Sequence, residues 1–448
     1  MVHSHIHPGR IWSLLPSQEI ALKQFWAILL KSFGYEINLS NEDIKFARGL
    51  VSSVDMSNYE GSAALTISVS KYESSVESET LSLRFQNSCN NIKSVYYLLE
   101  TESYADDDGD VFSLYHQEQH PLLANYIPED LHRSLFTYCR NENLDNFLLR
   151  FLRYQDFDVK SSLKSFAAML DWRINKFDVE DLVNKSDAHL YFEGKLRKLI
   201  NIMRSNEVYF KGVLRSGCPV VHIRTKNHIR SNCPDEDYDK YVALMFEWGR
   251  LMLLEYKTGT DRFHVIYDLT GFSLKNADFR AIKFSVKAFQ RWYPDVVEVV
   301  YMHNAPRVFP LVWNMVVKWL KPQVRDKIIF TRGPDALKKY IDPKFIPKFL
   351  GGKDAIPAYV EPTTFNSQRK EPDAMFSNLL KQRDELTVRF IDSTIKWIEA
   401  TNTKESRQHL ESKINICKAR AQNYIYLDPY LRTPGICDRN GQLGNLSY

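Results

Sequence analysis

The residues of this 448-residue chain that could bind a metal ion fall in two short clusters. Histidines alternate at His3, His5 and His7, and imidazole is a common zinc ligand, but such a cluster at a chain terminus is typical of a solvated tail. The acidic run 106–110 offers carboxylates, which calcium prefers. With Gly109 at the sixth position of a calcium loop, however, the first and last positions would be tyrosines. We therefore expect no bound metal and no cofactor.

The sequence contains no common catalytic motif. A GxSxG elbow, an HExxH pair and a GxGxxG turn after a strand are all absent, and the stretch 351–353 lacks the spacing and the hydroxyl of a phosphate loop. His303 follows an apolar run and could act as a base. No nucleophile lies near it in the sequence, so we interpret it as a hydrogen-bonded core histidine. The sequence predicts a protein that is not an enzyme. An enzyme remains an alternative, although no active site can be identified for it.

Composition indicates a globular protein in a reducing compartment. The chain is 44% hydrophobic and 25% charged, as in ordinary folded domains. A net charge of +4 gives no support to a nucleic-acid partner but allows weak attraction to an anionic membrane. Six cysteines without a CxxC pair indicate neither a disulfide scaffold nor a zinc site. A cytoplasmic location is predicted because no secretory signal is present. The first acidic residue is Glu19, so a weak mitochondrial presequence is the alternative.

The elements that must position any site divide the chain into four zones. Residues 1–127 form an N-terminal extension, predicted to hold one amphipathic helix and then a polar, partly disordered stretch. Residues 128–211 have helical periodicity, and residues 371–448 add two further helices. In 212–360, β-rich runs alternate with helical ones. This alternation predicts an α/β fold with a mainly parallel sheet.

The most informative segment is 296–322, an apolar strand followed by a proline-marked turn and a helix. Three- and four-residue spacing places five large apolar side chains on one face of that helix: Phe309, Val312, Trp313, Val316 and Leu320. Other faces carry Leu311, Met315 and Trp319. Such a helix is either fully buried or moves between a protein core and another apolar phase. It is too short to span a bilayer.

Five motifs stand in a characteristic order: 148–153 (LLRFLR), 265–271 (VIYDLTG), 293–295 (YPD), 304–306 (NAP) and 346–352 (IPKFLGG). This succession resembles the CRAL-TRIO lipid-binding family, and the fungal phosphatidylinositol transfer proteins in particular. The stretch 427–432 is similar to a branch with an N-terminal extension and C-terminal helices, of which one member is linked to squalene.

The resemblance implies a CRAL-TRIO fold whose helical N-terminal lobe accompanies a sheet that floors an apolar pocket for one lipid. A mobile gate over the pocket would fall on about 305–322. It implies non-enzymatic exchange of a single lipid between membranes by a cytoplasmic, peripherally membrane-associated protein. The lipid would be a phospholipid such as phosphatidylinositol, or a more hydrophobic lipid. Two alternatives stay open. One is a lipid-sensing scaffold that presents its lipid to a lipid-modifying enzyme, and the other is a binder of a hydrophobic, squalene-like ligand.

The residues that align with the family's lipid contacts differ from the family pattern. Head-group candidates are Lys327, which is kept, Asp295, which replaces Glu, and Gln155, which replaces Arg. The pocket wall is expected at Phe210, Val221, Phe263, Val265 and Tyr267, and the first four replace residues that carry hydroxyls. The last three share one strand face. We therefore predict an apolar pocket whose site for a lipid phosphate has fewer hydrogen-bonding groups than the family pattern. A repacked, closed cavity is the alternative.

Overall fold

A computed structural model describes residues 8–40, 42–43, 45–47, 122–194, 197–214, 217–229 and 234–444. The histidine cluster, the acidic run 106–110 and the polar stretch that follows the first helix lie outside these residues. Four cysteines fall within them, all of them buried and none in a disulfide: Cys139, Cys218, Cys417 and Cys437.

The described helices, in chain order, are α1 (Pro16–Ser32), α2 (Pro128–Tyr138), α3 (Leu144–Tyr154), α4 (Val159–Asp171), α5 (Val179–Phe192), α6 (Arg197–Ser205), α7 (Asp235–Leu251), α8 (Glu255–Thr258), α9 (Phe279–Lys287), α10 (Phe309–Val316), α11 (Pro322–Arg325), α12 (Pro334–Lys338), α13 (Ala374–Glu399), α14 (Glu405–Leu431) and α15 (Ile436–Arg439). The strands are β1 (Val208–Val213), β2 (Pro219–Arg224), β3 (Phe263–Asp268), β4 (Val297–His303) and β5 (Ile328–Thr331).

The five strands form one sheet in sequential order, with β1 antiparallel to β2 and the remaining pairs parallel. This confirms the predicted α/β fold with a mainly parallel sheet. The prediction of helix through residue 211 is wrong, because β1 begins at Val208. Its large side chains alternate between the two sheet faces: Tyr209 stacks on His222 of β2, with ring centroids 4.7 Å apart, while Phe210 lies on the opposite face.

Helix α1 falls where the sequence predicts an amphipathic helix, and it is buried on nearly all sides. The C-terminal helices α13 and α14 pack against each other, and α1 lies against α13 as well as against the helical lobe. The side chain of Trp26 donates to Asp145 of α3 over 2.6 Å, and Lys413 of α14 donates to the same carboxylate over 2.8 Å. The buried ammonium of Lys23 donates to one hydroxyl in the loop that follows α13 and to another at the start of α14. A polar residue in α1 is thus paired rather than solvated.

The glycine pair of the 346–352 motif permits a close backbone approach. A Cβ at Gly352 would lie 2.0 Å from the carbonyl oxygen of Ile346, and Gly351 has a φ of +83°. Such positions favour glycine because any side chain would collide or be strained. The pair therefore has a structural role, which agrees with the rejection of a phosphate loop.

Candidate functional site

A cavity of about 250 Å³ lies between one sheet face and the helices α7, α9 and α10. Its floor includes Val221, Val265 and Val300, which are neighbours across β2, β3 and β4 in the strand register. Because successive side chains of a strand point to opposite faces, only alternate residues of each strand reach it. Apolar side chains of the three helices complete a predominantly hydrophobic lining.

All five residues predicted for the pocket wall line this cavity: Phe210, Val221, Phe263, Val265 and Tyr267. Four are buried, and Tyr267 is partly buried, facing the free space. The loss of hydroxyls at the first four positions leaves this part of the wall without hydrogen-bonding side chains. Their contact with a lipid remains a prediction.

The predicted gate residues also line the cavity: Phe309, Val312, Trp313, Val316 and Leu320. The ring of Phe309 meets that of Phe272 edge to face at 5.9 Å, and both rings line the cavity. The opposite face of α10 is not covered. Leu311 is 65% exposed and Met315 is 41% exposed. The alternative of a fully buried core helix is therefore wrong.

Three apolar residues form an exposed stripe along α10, beginning with the residue just before it: Val308, Leu311 and Met315. Their spacing of three and four residues puts them on one side of the helix. Phe330 of β5 is also exposed, and its ring packs edge to face on Trp313 at 5.3 Å. Exposed contiguous apolar groups of this kind mark contacts with membranes or other proteins.

The head-group candidates Lys327 and Asp295 lie at the amino ends of the parallel strands, and neither lines the cavity. The Lys327 ammonium donates to Asp295 Oδ1 over 2.7 Å and to the Val297 carbonyl over 2.9 Å. Asp295 also binds the guanidinium groups of Arg262 and Arg153. Burial alone would raise the pKa of Asp295, but these three cations hold it well below its usual range. The lysine is thus engaged by a protein carboxylate.

Gln155, the third head-group candidate, points elsewhere and donates to the hydroxyl of Ser165 over 2.7 Å. Arg153 and Arg332 are the cations that could compensate for its neutral side chain. Arg153 is bound to Asp295 and Asp261, and Arg332 donates to a backbone carbonyl. The structure brings Lys327 and Asp295 together but places Gln155 outside their contacts. A role of the three in phosphate binding remains a prediction.

A cluster of polar side chains that the sequence did not predict lies at the end of the cavity where the parallel strands have their carboxyl ends. This polar end consists of Glu207, His228, Tyr238 and Asp278. The two imidazole nitrogens of His228 lie 3.2 Å from Glu207 Oε2 and 3.4 Å from Asp278 Oδ2, while the Tyr238 hydroxyl donates to Glu207 Oε1 over 2.7 Å. Burial alone would lower the pKa of His228, but the two carboxylates raise it. The four residues come from separate elements, so no local motif signals them.

His303, considered above as a base, is fully buried at the end of β4 and does not line the cavity. Its Nδ1 lies 3.0 Å from the hydroxyl of Thr331 on the neighbouring strand. Burial lowers its pKa, so a neutral imidazole is favoured. This arrangement suits the hydrogen-bonded core histidine that the sequence predicts.

No group of three or more His, Cys, Asp and Glu side chains in the described ranges could hold a metal ion. No helix in the same ranges combines the length and hydrophobicity required to cross a membrane.

Residues 203–352 match the sequence model of the CRAL/TRIO domain. The chain is 28% identical to a phosphatidylinositol transfer protein of Eremothecium gossypii, over 97% of this chain and 98% of that protein. It is 26% identical to a CRAL-TRIO domain-containing protein of Schizosaccharomyces pombe, over 97% of this chain and 92% of the relative. A second such protein of the same yeast is 26% identical over 73% of this chain and 91% of its own length.

Proposed function

We propose that this chain, whose residues 203–352 form a CRAL/TRIO domain, holds one lipid in the cavity above its sheet and exchanges it between membranes without covalent chemistry. The observation that carries the proposal is the position of α10. One face of this helix lines the cavity, and the opposite side presents the exposed stripe Val308, Leu311 and Met315. A helix with two apolar faces can leave the protein for an apolar phase at little cost.

The free energy of lipid transfer favours an apolar cavity that is shielded from water. Moving an acyl chain into water costs about 0.8 kcal/mol for each methylene group, so a carrier must shield the chain throughout the transfer. Apolar walls replace the bilayer interior with little net change in free energy. The gate then has to open only at a membrane surface, where the exposed stripe can insert among the lipids.

Trp313→Asp tests the gate. Trp313 lines the cavity and packs against Phe309 and Phe330, so a carboxylate there would oppose closure over an apolar ligand. We expect lipid exchange to fall at least about ten-fold, the effect of roughly 1.4 kcal/mol in the closed state. The measurement is the transfer of a radiolabelled total lipid extract from donor to acceptor vesicles.

Tyr426→Asp is the matched control, since it also replaces an aromatic residue but on the exposed side of α14, where Tyr426 is 53% exposed. It should leave exchange unchanged. Circular dichroism of both variants should match that of the parent chain. Undiminished exchange by a folded Trp313→Asp variant would show that α10 is not the gate.

A further inference from the structure

The polarity of the cavity is concentrated at one end. The parallel strands β2 and β3 end at Arg224 and Asp268, and the polar end defined above lies beyond these termini. At the opposite end, where β4 and β5 begin, the lining is apolar and includes Val297, Val324 and Ile328. Among the described residues that line the cavity, charged side chains occur at this end only, which favours one orientation for an amphiphile with a single small polar group.

The charges at the polar end disfavour a phosphate. Among the described residues that line the cavity, no lysine or arginine occurs, whereas Glu207 and Asp278 are carboxylates. The one lining side chain in the described ranges that can carry a positive charge there is His228, and both of its nitrogens already face these two carboxylates. An anionic head group would add a third negative charge to a low-dielectric site, which is costly. An uncharged polar group avoids that cost.

Tyr267 supplies a hydrogen-bonding group at this end of the floor. It lies on β3 beside Ile223 and Met302, on the same strand face as Phe263 and Val265. No residue in the described part of the chain makes a hydrogen bond with its hydroxyl. Burial and the nearby charge of Glu207 both raise the pKa of Tyr267, so the hydroxyl stays protonated and can donate. A hydroxyl inside an apolar cavity costs free energy when it lacks a hydrogen-bond partner, so a ligand that supplies the partner binds more tightly.

Glu207 supplies the complementary acceptor. One oxygen of its carboxylate accepts from Tyr238 and the other lies against His228. A carboxylate has about four lone-pair sites, so these two contacts leave room for a further donor. A ligand hydroxyl can both accept one hydrogen bond and donate another. It could thus accept from Tyr267 while it donates to Glu207.

We propose that the polar end recognises an uncharged lipid whose polar group is a hydroxyl, through Tyr267 and Glu207. The inference rests on the proposed lipid-carrier function and names the class of cargo. The hydrophobic body of the ligand would extend along Phe263 and Val265 toward the apolar end. A phosphate-bearing lipid and a pure hydrocarbon would both leave the polar end poorly satisfied.

The test uses the full chain and phosphatidylcholine vesicles that carry cholesterol, cholestene or phosphatidylinositol. Cholestene has the ring system of cholesterol but no hydroxyl. After incubation the protein is separated from the vesicles, and its bound lipid is quantified by mass spectrometry. We expect about a ten-fold preference for cholesterol over cholestene, the effect of one hydrogen bond to a charged group. Cholesterol should also exceed phosphatidylinositol.

Tyr267→Phe should lower the preference for cholesterol over cholestene several-fold, because the hydrogen bond to Glu207 remains, while cholestene loading stays unchanged. Tyr209→Phe is the control, because Tyr209 is also a buried tyrosine on the sheet whose hydroxyl lacks a partner in the described part of the chain, but it does not line the cavity. Equal loading of cholesterol and cholestene by the parent chain, or a preference for phosphatidylinositol, would overturn the hydroxyl site alone. Failure to load any lipid would instead overturn the carrier function.

Discussion

Replacement of Val265 by tryptophan is expected to empty the cavity of lipid while the protein remains folded. Val265 lies at the centre of the floor, between Val221 and Val300, and its side chain points into the free space. An indole at this position would occupy volume that a lipid chain needs. We expect lipid per mole of purified protein to fall at least about ten-fold, as measured by extraction and mass spectrometry, since about 1.4 kcal/mol of lost affinity suffices.

The same substitution also separates an open cavity from a closed, repacked core. In a close-packed core, added bulk typically costs about 1–3 kcal/mol, whereas an apolar cavity can accept it. The melting temperature of Val265→Trp should therefore stay close to that of the parent chain. Val388→Trp adds the same bulk at a site on α13 that is 40% exposed, and should leave the lipid content unchanged. A stable Val265→Trp variant with full lipid content would place the lipid elsewhere.

Glu247→Gln is expected to cause the largest loss of stability. The carboxylate of Glu247 lies in α7, is fully buried and balances three guanidinium groups. Its oxygens lie 2.5 Å from Arg140, 2.6 Å from Arg173 and 3.1 Å from Arg250. Removing one partner of a buried ion pair strands the remaining charges, which costs about 3–5 kcal/mol. Urea unfolding should show this decrease, and because α7 borders the cavity, lipid content should fall with it.

Acid should weaken the same contact. Burial alone would raise the pKa of Glu247, but the three arginines hold it well below its usual value. A carboxylate with a depressed folded-state pKa stabilises the protein above its unfolded pKa, about 4.3, and the stabilisation is lost as pH falls further. The parent chain should thus lose stability below that pH more steeply than Glu247→Gln. Glu298→Gln, which removes a partly exposed partner of Arg262 and Arg10, should cost less stability than Glu247→Gln. Equal losses of unfolding free energy in the two variants would show that the buried carboxylate of Glu247 is no more important for stability than a partly exposed one.

The sequence predicted those parts of the site that follow from local periodicity. Alternation along β3 places Phe263, Val265 and Tyr267 on one face, and helical spacing groups the cavity-facing residues of α10. Both sets line the cavity as expected. The ring of apolar residues around α10 predicted an unusual helix, but only the fold shows that its second apolar face is exposed.

Features that depend on contacts between distant elements could not be predicted in the same way. The polar end joins Glu207, before β1, with His228 and Asp278, which follow β2 and β3. Helix α1 contacts α14, almost 400 residues away in the chain, through the hydrogen bond from the Lys23 ammonium to the Ser406 hydroxyl. Single-sequence periodicity contains no information on such pairings, and β1 was missed because its apolar spacing also fits a helix.

Native mass spectrometry of the full chain, after incubation with vesicles and re-isolation, tests the central claim most directly. The account predicts a complex of one lipid with one chain, formed by the parent protein and lost on Val265→Trp, because a single cavity above the sheet holds the ligand. Only the mass of the bare chain, or a lipid complex that Val265→Trp leaves intact, would contradict it.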